Sequence, residues 1–211
     1  MVTYDIELDR SFLVIEAKPS RYKLLVNVEV NVEPRSTNDY WPVFFSTKDK
    51  NDHWVLITGR KISSYDQKVR ELQIDPSLQY LEIGAGMGEL TPHIVKHQPL
   101  KKPIVIDPAN YLLMMDMLKF AYQLHIDKQL KEKISILHKR CRVITDPDKV
   151  NLINGPLEEA LSQHPELEGI ADVVIDNYGA VLYSGLWASQ HQQTITLEKK
   201  LLKSDGVHIY H

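Results

Sequence analysis

Leu81-Glu82-Ile83-Gly84-Ala85-Gly86-Met87-Gly88-Glu89-Leu90 is the stretch whose reading decides the fold class. An apolar run enters three glycines at alternate positions, and a segment with helical spacing follows at once. Glycine lets the backbone turn sharply and come close to a neighbour where a Cβ would intrude. A helix that starts directly after such a turn aims free backbone N–H groups, and the positive end of its dipole, at whatever sits above the loop. Spacing narrows the choice. A dinucleotide fingerprint, G-x-G-x-x-G, needs glycine where this chain has Glu89, and a P-loop needs a Gly-Lys-Ser/Thr ending that is missing.

Working outward, apolar strand-like runs at 79–83, 103–106, 150–153, 171–175 and 207–210 alternate with helical spacing at 89–96, 110–124, 157–164 and 189–202. A shorter helix is expected from Ser63-Ser64 to Leu72. Asn110 reads as an N-cap, and Gly206 as the stop signal of the last helix. Such alternation predicts an α/β fold, a doubly wound and mostly parallel sheet with helices on both faces. The methionines Met114, Met115 and Met117 read as core packing against that sheet. Before this region the period is two: 4–8, 12–17, 25–32 and 54–58 read as strands, with Val26, Val28, Val30 and Val32 on one face. Segments 33–40 and 46–53 read as loops. The expected organisation is a small β-rich extension over 1–62 and an α/β domain over 63–211.

Three further segments fall at expected strand ends. Ile104-Val105-Ile106-Asp107-Pro108 closes the second strand on an acid, which could accept hydrogen bonds from both hydroxyls of a ribose or cap the next helix. Asn154-Gly155-Pro156-Leu157-Glu158 follows the third strand, with Pro156 in the first turn of a helix, where its missing N–H costs nothing. Ala171-Asp172-Val173-Val174-Ile175-Asp176-Asn177-Tyr178-Gly179 ends the fourth. There Asp176 reads as a general base or as a loop residue.

The E-x-G-x-G-x-G pattern resembles the first motif of class I S-adenosylmethionine-dependent methyltransferases at all four defining positions. Leu81 to Thr91 also looks like the loop of ribosomal RNA adenine dimethylases, a likeness shared by many methyltransferases. The resemblance implies a Rossmann-like sheet and S-adenosyl-L-methionine as cofactor. It assigns the cofactor cradle to Glu82, Gly84, Ala85, Gly86 and Gly88, the ribose to Asp107 beside Pro108, and the adenine to Gly155, Pro156 and Leu157. Pro156 stands where the family often carries an acid. Asp176, Asn177 and Tyr178 would lie beside the methyl acceptor, without the proline pair of nitrogen-directed nucleic-acid enzymes. Leu182, Tyr183, Leu186 and Trp187 would wall an acceptor pocket or pack in the core. Family members continue past their fifth strand with a helix and hairpin, whereas this chain stops at His211. A shortened sheet, an edge covered by the N-terminal segment, or a truncated chain would each account for that.

Composition bounds the rest. The 211 residues carry a formal net charge of -3, so no general attraction for nucleic acid is expected. The local basic tract from Lys128 to Arg142 reads as a solvated helix face. No apolar run approaches the ~20 residues of a membrane span, and the N-terminus lacks a secretory pattern. Cys141 is the only cysteine, which suits a reducing, cytoplasmic setting. His138 and Cys141 lack further partners at zinc spacing, so no metal is expected. The reading is therefore a methyltransferase with a small-molecule acceptor first, a protein side chain second and nucleic acid third. No membrane partner is expected, and a homo-oligomer is compatible. A non-catalytic binding or assembly subunit of the same fold is one rival, and an NAD-dependent oxidoreductase, disfavoured by Glu89, is the other.

Overall fold

A computed structural model describes residues 2–28, 42–48, 52, 54–176, 179 and 188–210. The chain opens with an antiparallel meander: β1 (Thr3–Asp9), β2 (Phe12–Lys18), β3 (Tyr22–Asn27), β4 (Val43–Lys48) and β5 (Trp54–Thr58), paired in that order. Period-two alternation gives this sheet one dry face, made by Ile15, Ala17, Leu24, Val26, Val43 and Phe45, all fully buried. The expected valine face is shorter than the sequence suggested. Strand β3 ends at Asn27, Val28 is exposed, and Val30 and Val32 lie outside the described residues. Conversely, Ser46, Thr47 and Lys48 belong to β4 instead of a loop. Thr47 takes an inward position and is buried, so a polar residue hid the alternation.

The second sheet holds β6 (Tyr80–Ile83), β7 (Ile104–Ile106), β8 (Asn151–Ile153), β9 (Ala171–Asp176) and β10 (Leu202–Tyr210) in the order β10-β9-β6-β7-β8, all parallel. Chain order reverses between β6 and β9. The first strand of the domain is therefore central, which is the Rossmann-like arrangement and sets a switch point beside the glycine loop. One face buries Leu81, Ile83, Ile104, Ile106 and Val174 with Leu157, Ala160 and Leu201. The other carries Tyr80, Val173, Ile175 and Ile209 against Val69, Leu90 and Ile94.

Helices α1 (Gln67–Arg70), α2 (Leu90–Lys96), α3 (Tyr111–Gln123), α4 (Lys128–Ile144), α5 (Leu157–Gln163) and α6 (Ala188–Lys200) supply the cover. Asn110 caps α3 by accepting from the Leu113 N–H at 3.1 Å, as its residue type predicts. The helix expected at Ser63-Ser64 is instead a three-residue 3-10 turn, Ile62–Ser64, and α1 starts from Asp66, which accepts from the Lys68 N–H. Gly206 stops no helix. Strand β10 has already begun at Leu202, and Gly206 lies in its irregular stretch, close against Leu202 and the Ala171 carbonyl.

The basic tract lies on a helix, α4, that also carries a buried face. Leu130, Ile134, Leu137, Cys141 and Ile144 form a buried stripe at helical spacing, and Asp127 caps it by accepting from the Gln129 N–H at 2.7 Å. That stripe and the buried Met114, Met117, Leu118 and Ala121 of α3 meet the dry face of the meander, and the same core continues to Val105 of β7. Each fully buried Leu, Ile or Met contributes about 1.5–3 kcal/mol relative to exposure. The meander is thus held on the α3–α4 layer instead of along the β10 edge. Tyr4 of β1 stacks on Phe120 of α3 at 4.6 Å between ring centroids. Among the described residues no helix is long and apolar enough to cross a membrane.

Candidate functional site

Parallel strands bring their carboxyl ends to one edge of the sheet. That edge gathers the loop after β6, Asp107 after β7, Gly155 to Leu157 after β8, and Asp176 at the end of β9. The site residues named from sequence and described in the structure therefore share one edge. Asn177 and Tyr178, and the pocket-wall candidates Leu182, Tyr183, Leu186 and Trp187, lie outside the described residues.

Gly84 and Gly86 both adopt positive φ, 66° and 52°, which an L side chain takes only with strain. The Gly86 N–H donates to Asp107 Oδ2 at 2.7 Å. Asp107 Oδ1 accepts from the Ala109 N–H at 2.7 Å, and the Tyr111 hydroxyl donates to Oδ2 at 3.1 Å. The carboxylate is 4% exposed. Burial raises its pKa, while the bonds from Gly86, Ala109 and Tyr111 lower it. Oδ2 accepts two donors and Oδ1 one, which leaves one acceptor position on Oδ1. Pro108 is exposed beside it.

Glu82 faces the start of α2. Its Oε2 accepts from the Thr91 N–H at 3.0 Å and from the Thr91 hydroxyl at 2.6 Å, closing one backbone donor of the helix N-terminus and one side-chain donor. Burial pushes this carboxyl up to about 7, against those two hydrogen bonds.

The chain's own N-terminal half covers the loop. Met87 is fully buried and its N–H donates to the Thr58 carbonyl at 3.0 Å. A Cβ on Gly86 would stand 3.2 Å from that same carbonyl, and one on Gly88 would stand 2.2 Å from the Tyr65 hydroxyl. Close packing of the chain on itself thus demands glycine at both positions. Ala85 is buried within the turn. Arg140 locks the arrangement: its guanidinium donates to the Arg60 carbonyl at 2.9 Å and to the Met87 carbonyl at 3.3 Å, and pairs with Glu89 at 3.3 Å. Glu89 in turn accepts from the Ile62 N–H at 2.8 Å. The basic tract reads from sequence as a solvated helix face, yet Arg140 is buried in this lock.

Gly155 differs from the loop glycines. A Cβ there would meet nothing within 4 Å, and its φ is ordinary. It therefore borders open space at the edge, beside Pro156, whose extended backbone precedes α5, and the buried Leu157. Asn154 ties this corner down by donating to the Asp107 and Ala109 carbonyls at 3.1 and 2.7 Å.

On the far side of β6, Asp176 is fully buried and its Oδ1 accepts from the Gly179 N–H at 2.5 Å. Two residues absent from the sequence reading stand with it. Glu198 of α6 is fully buried, borders the Asp176 carboxyl, and its Oε2 lies 2.7 Å from His208 Nε2. The signal was available. Thr194, Glu198 and Leu201 fall at helical spacing on the buried side, so Glu198 is an acid inside an apolar stripe.

No family model matches the chain. No curated protein matches it either. Among solved structures it is similar to a spermidine synthase in complex with the transition-state analogue AdoDATO, with a TM-score of 0.43 and 14% identity. That match covers 98% of this chain and 56% of the other, so the chain spans just over half the length of that protein. The fold assignment rests on the strand order and not on this likeness.

Proposed function

We propose that the carboxyl edge of the parallel sheet binds S-adenosyl-L-methionine and that the chain transfers its methyl group to a small-molecule acceptor. The observation that carries this is the joining of the glycine loop to the acid of the next strand, Gly86 N–H to Asp107, at the switch point of a sheet ordered β10-β9-β6-β7-β8. The residues fit such a group at two points. Asp107 Oδ1 retains one acceptor position for a ribose hydroxyl, and Gly155 leaves open space where an adenine edge could lie flat. Gly84, Ala85, Gly86 and Gly88 shape the loop, while Glu82 holds the start of α2. When bound, the group supplies an activated sulfonium methyl, and the protein's part is to orient the acceptor, exclude water and hold any proton released. Asp176 is the residue for that last task. Arg140 of the basic tract is consumed internally, which takes one cation away from any phosphate contact there.

Thermal melts test the reading. Adenosylhomocysteine should raise Tm in proportion to ligand excess while NAD leaves it unchanged. The reverse pattern would transfer the site to a dinucleotide, and no shift with either would overturn the cofactor assignment. A second reading, a binding subunit without turnover, is favoured by the occupied state of Asp107, three of whose acceptor positions already serve the protein. Tight adenosylhomocysteine binding, with no methyl transferred to any acceptor in a broad small-molecule panel, would establish it.

A further inference from the structure

Strand alternation puts Asp176 and His208 on the same face of the parallel sheet. Asp176 pairs in register with Tyr210 and Val174 with His208, so both side chains point toward the layer that α6 occupies. Glu198 descends from α6 into that layer, where its carboxyl reaches His208 and hydrogen-bonds with Asp176. The Glu198 side chain is fully buried and that of His208 is 8% exposed. Glu198 Oε2 lies 2.7 Å from His208 Nε2, yet among the described residues Glu198 Oε1 and His208 Nδ1 find no hydrogen-bond partner. Buried polar atoms left unpaired lose the water they would otherwise bind and destabilise the fold. A purely structural role would be met at lower cost by apolar side chains. Among the described residues no group of three such side chains converges in a way that could hold a metal ion. What the arrangement can do is hold a proton.

We propose that Asp176, Glu198 and His208 work as one proton-sharing unit, in which Glu198 and His208 are positioning residues that keep Asp176 ready to take up a proton at the carboxyl edge. The inference rests on the reading of Asp176 as the group nearest the acceptor. A proton arriving on an Asp176 oxygen forms an O–H bond there. Transfer to Glu198 breaks that bond and restores the carboxylate. Transfer from Glu198 to Nε2 of His208 leaves an imidazolium beside a carboxylate, at the one member that still touches the surface. The sequence moves one proton and no electron.

The electrostatic setting agrees. Burial pushes Glu198 up to about 7, and its hydrogen bond with Asp176 draws it down. Burial lowers His208, Asp176 raises it, and Lys199 lowers it. Glu198 faces Asp176 from β9 and His208 from β10. His208 faces Glu198 and Lys199 from α6, Asp176 from β9, and the Tyr210 ring at 4.8 Å along its own strand. Imidazole and carboxyl are thus brought toward a common range, as sharing requires.

Histidine-selective NMR titration of the whole chain tests this, with the His208 signal identified by its loss in His208→Gln. In Asp176→Asn the His208 midpoint should fall by about 1 pH unit, the coupling expected of interacting sites. An unchanged midpoint in a variant with native melting would overturn the proposal, since packing alone links the two in that case. Glu198→Gln, nearly isosteric, provides the second measurement: it should lower the midpoint further, and no movement there would equally overturn the unit. Adenosylhomocysteine melts run in parallel keep the two readings apart. Ligand binding without coupling defeats only this inference, and coupling without ligand binding defeats only the cofactor assignment.

Discussion

The two halves of the carboxyl edge solve the problem of buried polarity in opposite ways. On the β6–β7 side Glu82, Asp107, Glu89 and Arg140 all close on backbone groups or on each other. On the β9–β10 side Glu198 and His208 each keep a buried atom without a partner among the described residues. Closed networks stabilise a loop and resist rearrangement, whereas an incompletely satisfied one retains capacity to bind or exchange protons. The difference teaches that the glycine-rich loop, the loudest signal in the sequence, is first a structural joint. The quieter side of the sheet is where we propose that the proton is handled.

Breaking the joint should produce the largest effect. Arg140→Ala strips three contacts at once, leaving the Met87 and Arg60 carbonyls short of a donor and Glu89 without its cation. A loss of about 3 kcal/mol is expected in denaturant unfolding, at the low end for a broken buried pair because Glu89 is partly exposed. A change under 1 kcal/mol would mean that the lock over the loop is ornamental. Next in size comes Gly88→Ala. Its new methyl would stand 2.2 Å from the Tyr65 hydroxyl and 2.9 Å from the Ala85 carbonyl. Overpacking of this kind costs about 1–3 kcal/mol, with backbone contact arguing for the upper part of the range. A neutral result would return the glycine requirement to the ligand.

These substitutions also show how far the sequence could be read. The parallel sheet was legible because β6, β7 and β9 are mostly apolar runs, interrupted only by Glu82 and Asp172 and followed by turn residues, close to the pattern of strands buried on both faces. The edge residues were legible because strand ends in such a sheet share one side. The lock was not legible. Arg140 sits among Lys139 and Arg142, and only the turn of α4 separates it from them, pointing it inward while they stay exposed. Strand β4 was masked by Thr47, a polar residue at a buried position. Glu198 shares helical spacing with Thr194 and Leu201, but a single acid directly before Lys199 and Lys200 reads as part of a solvated helix end.

A gentler probe separates the two sides by pH. Glu82 is raised to about 7, so between the ordinary carboxylate range and that value the folded state binds its proton more tightly than the unfolded chain. Its contribution is full below the unfolded value and is lost as pH rises through the folded one, at about 1.4 kcal/mol per pH unit. Glu82→Gln keeps an oxygen for Thr91 and removes the ionisation. Its stability should therefore decline less than the parent's between about pH 5 and 7 in denaturant titrations. Parallel declines would show that Glu82 is ionised throughout and that its hydrogen bonds outweigh burial.

The smallest effect on stability should come from Gly155→Ala, and its sign is the useful part. Gly86 and Gly88 are held by positive φ or by close neighbours, so adding a methyl to either must strain the fold. Gly155 has an ordinary φ and open space around the position a Cβ would take. Alanine there restricts the unfolded chain without straining the folded one, which should stabilise by about 0.4–1 kcal/mol. The methyl would meanwhile project into the space where the adenine of the proposed cofactor would lie. A variant with higher Tm in buffer and a smaller Tm increase with adenosylhomocysteine would set Gly155 apart as the one glycine of this edge kept open for a ligand instead of for the chain. Stabilisation with undiminished ligand response would leave that space unused and move the nucleobase elsewhere along the edge.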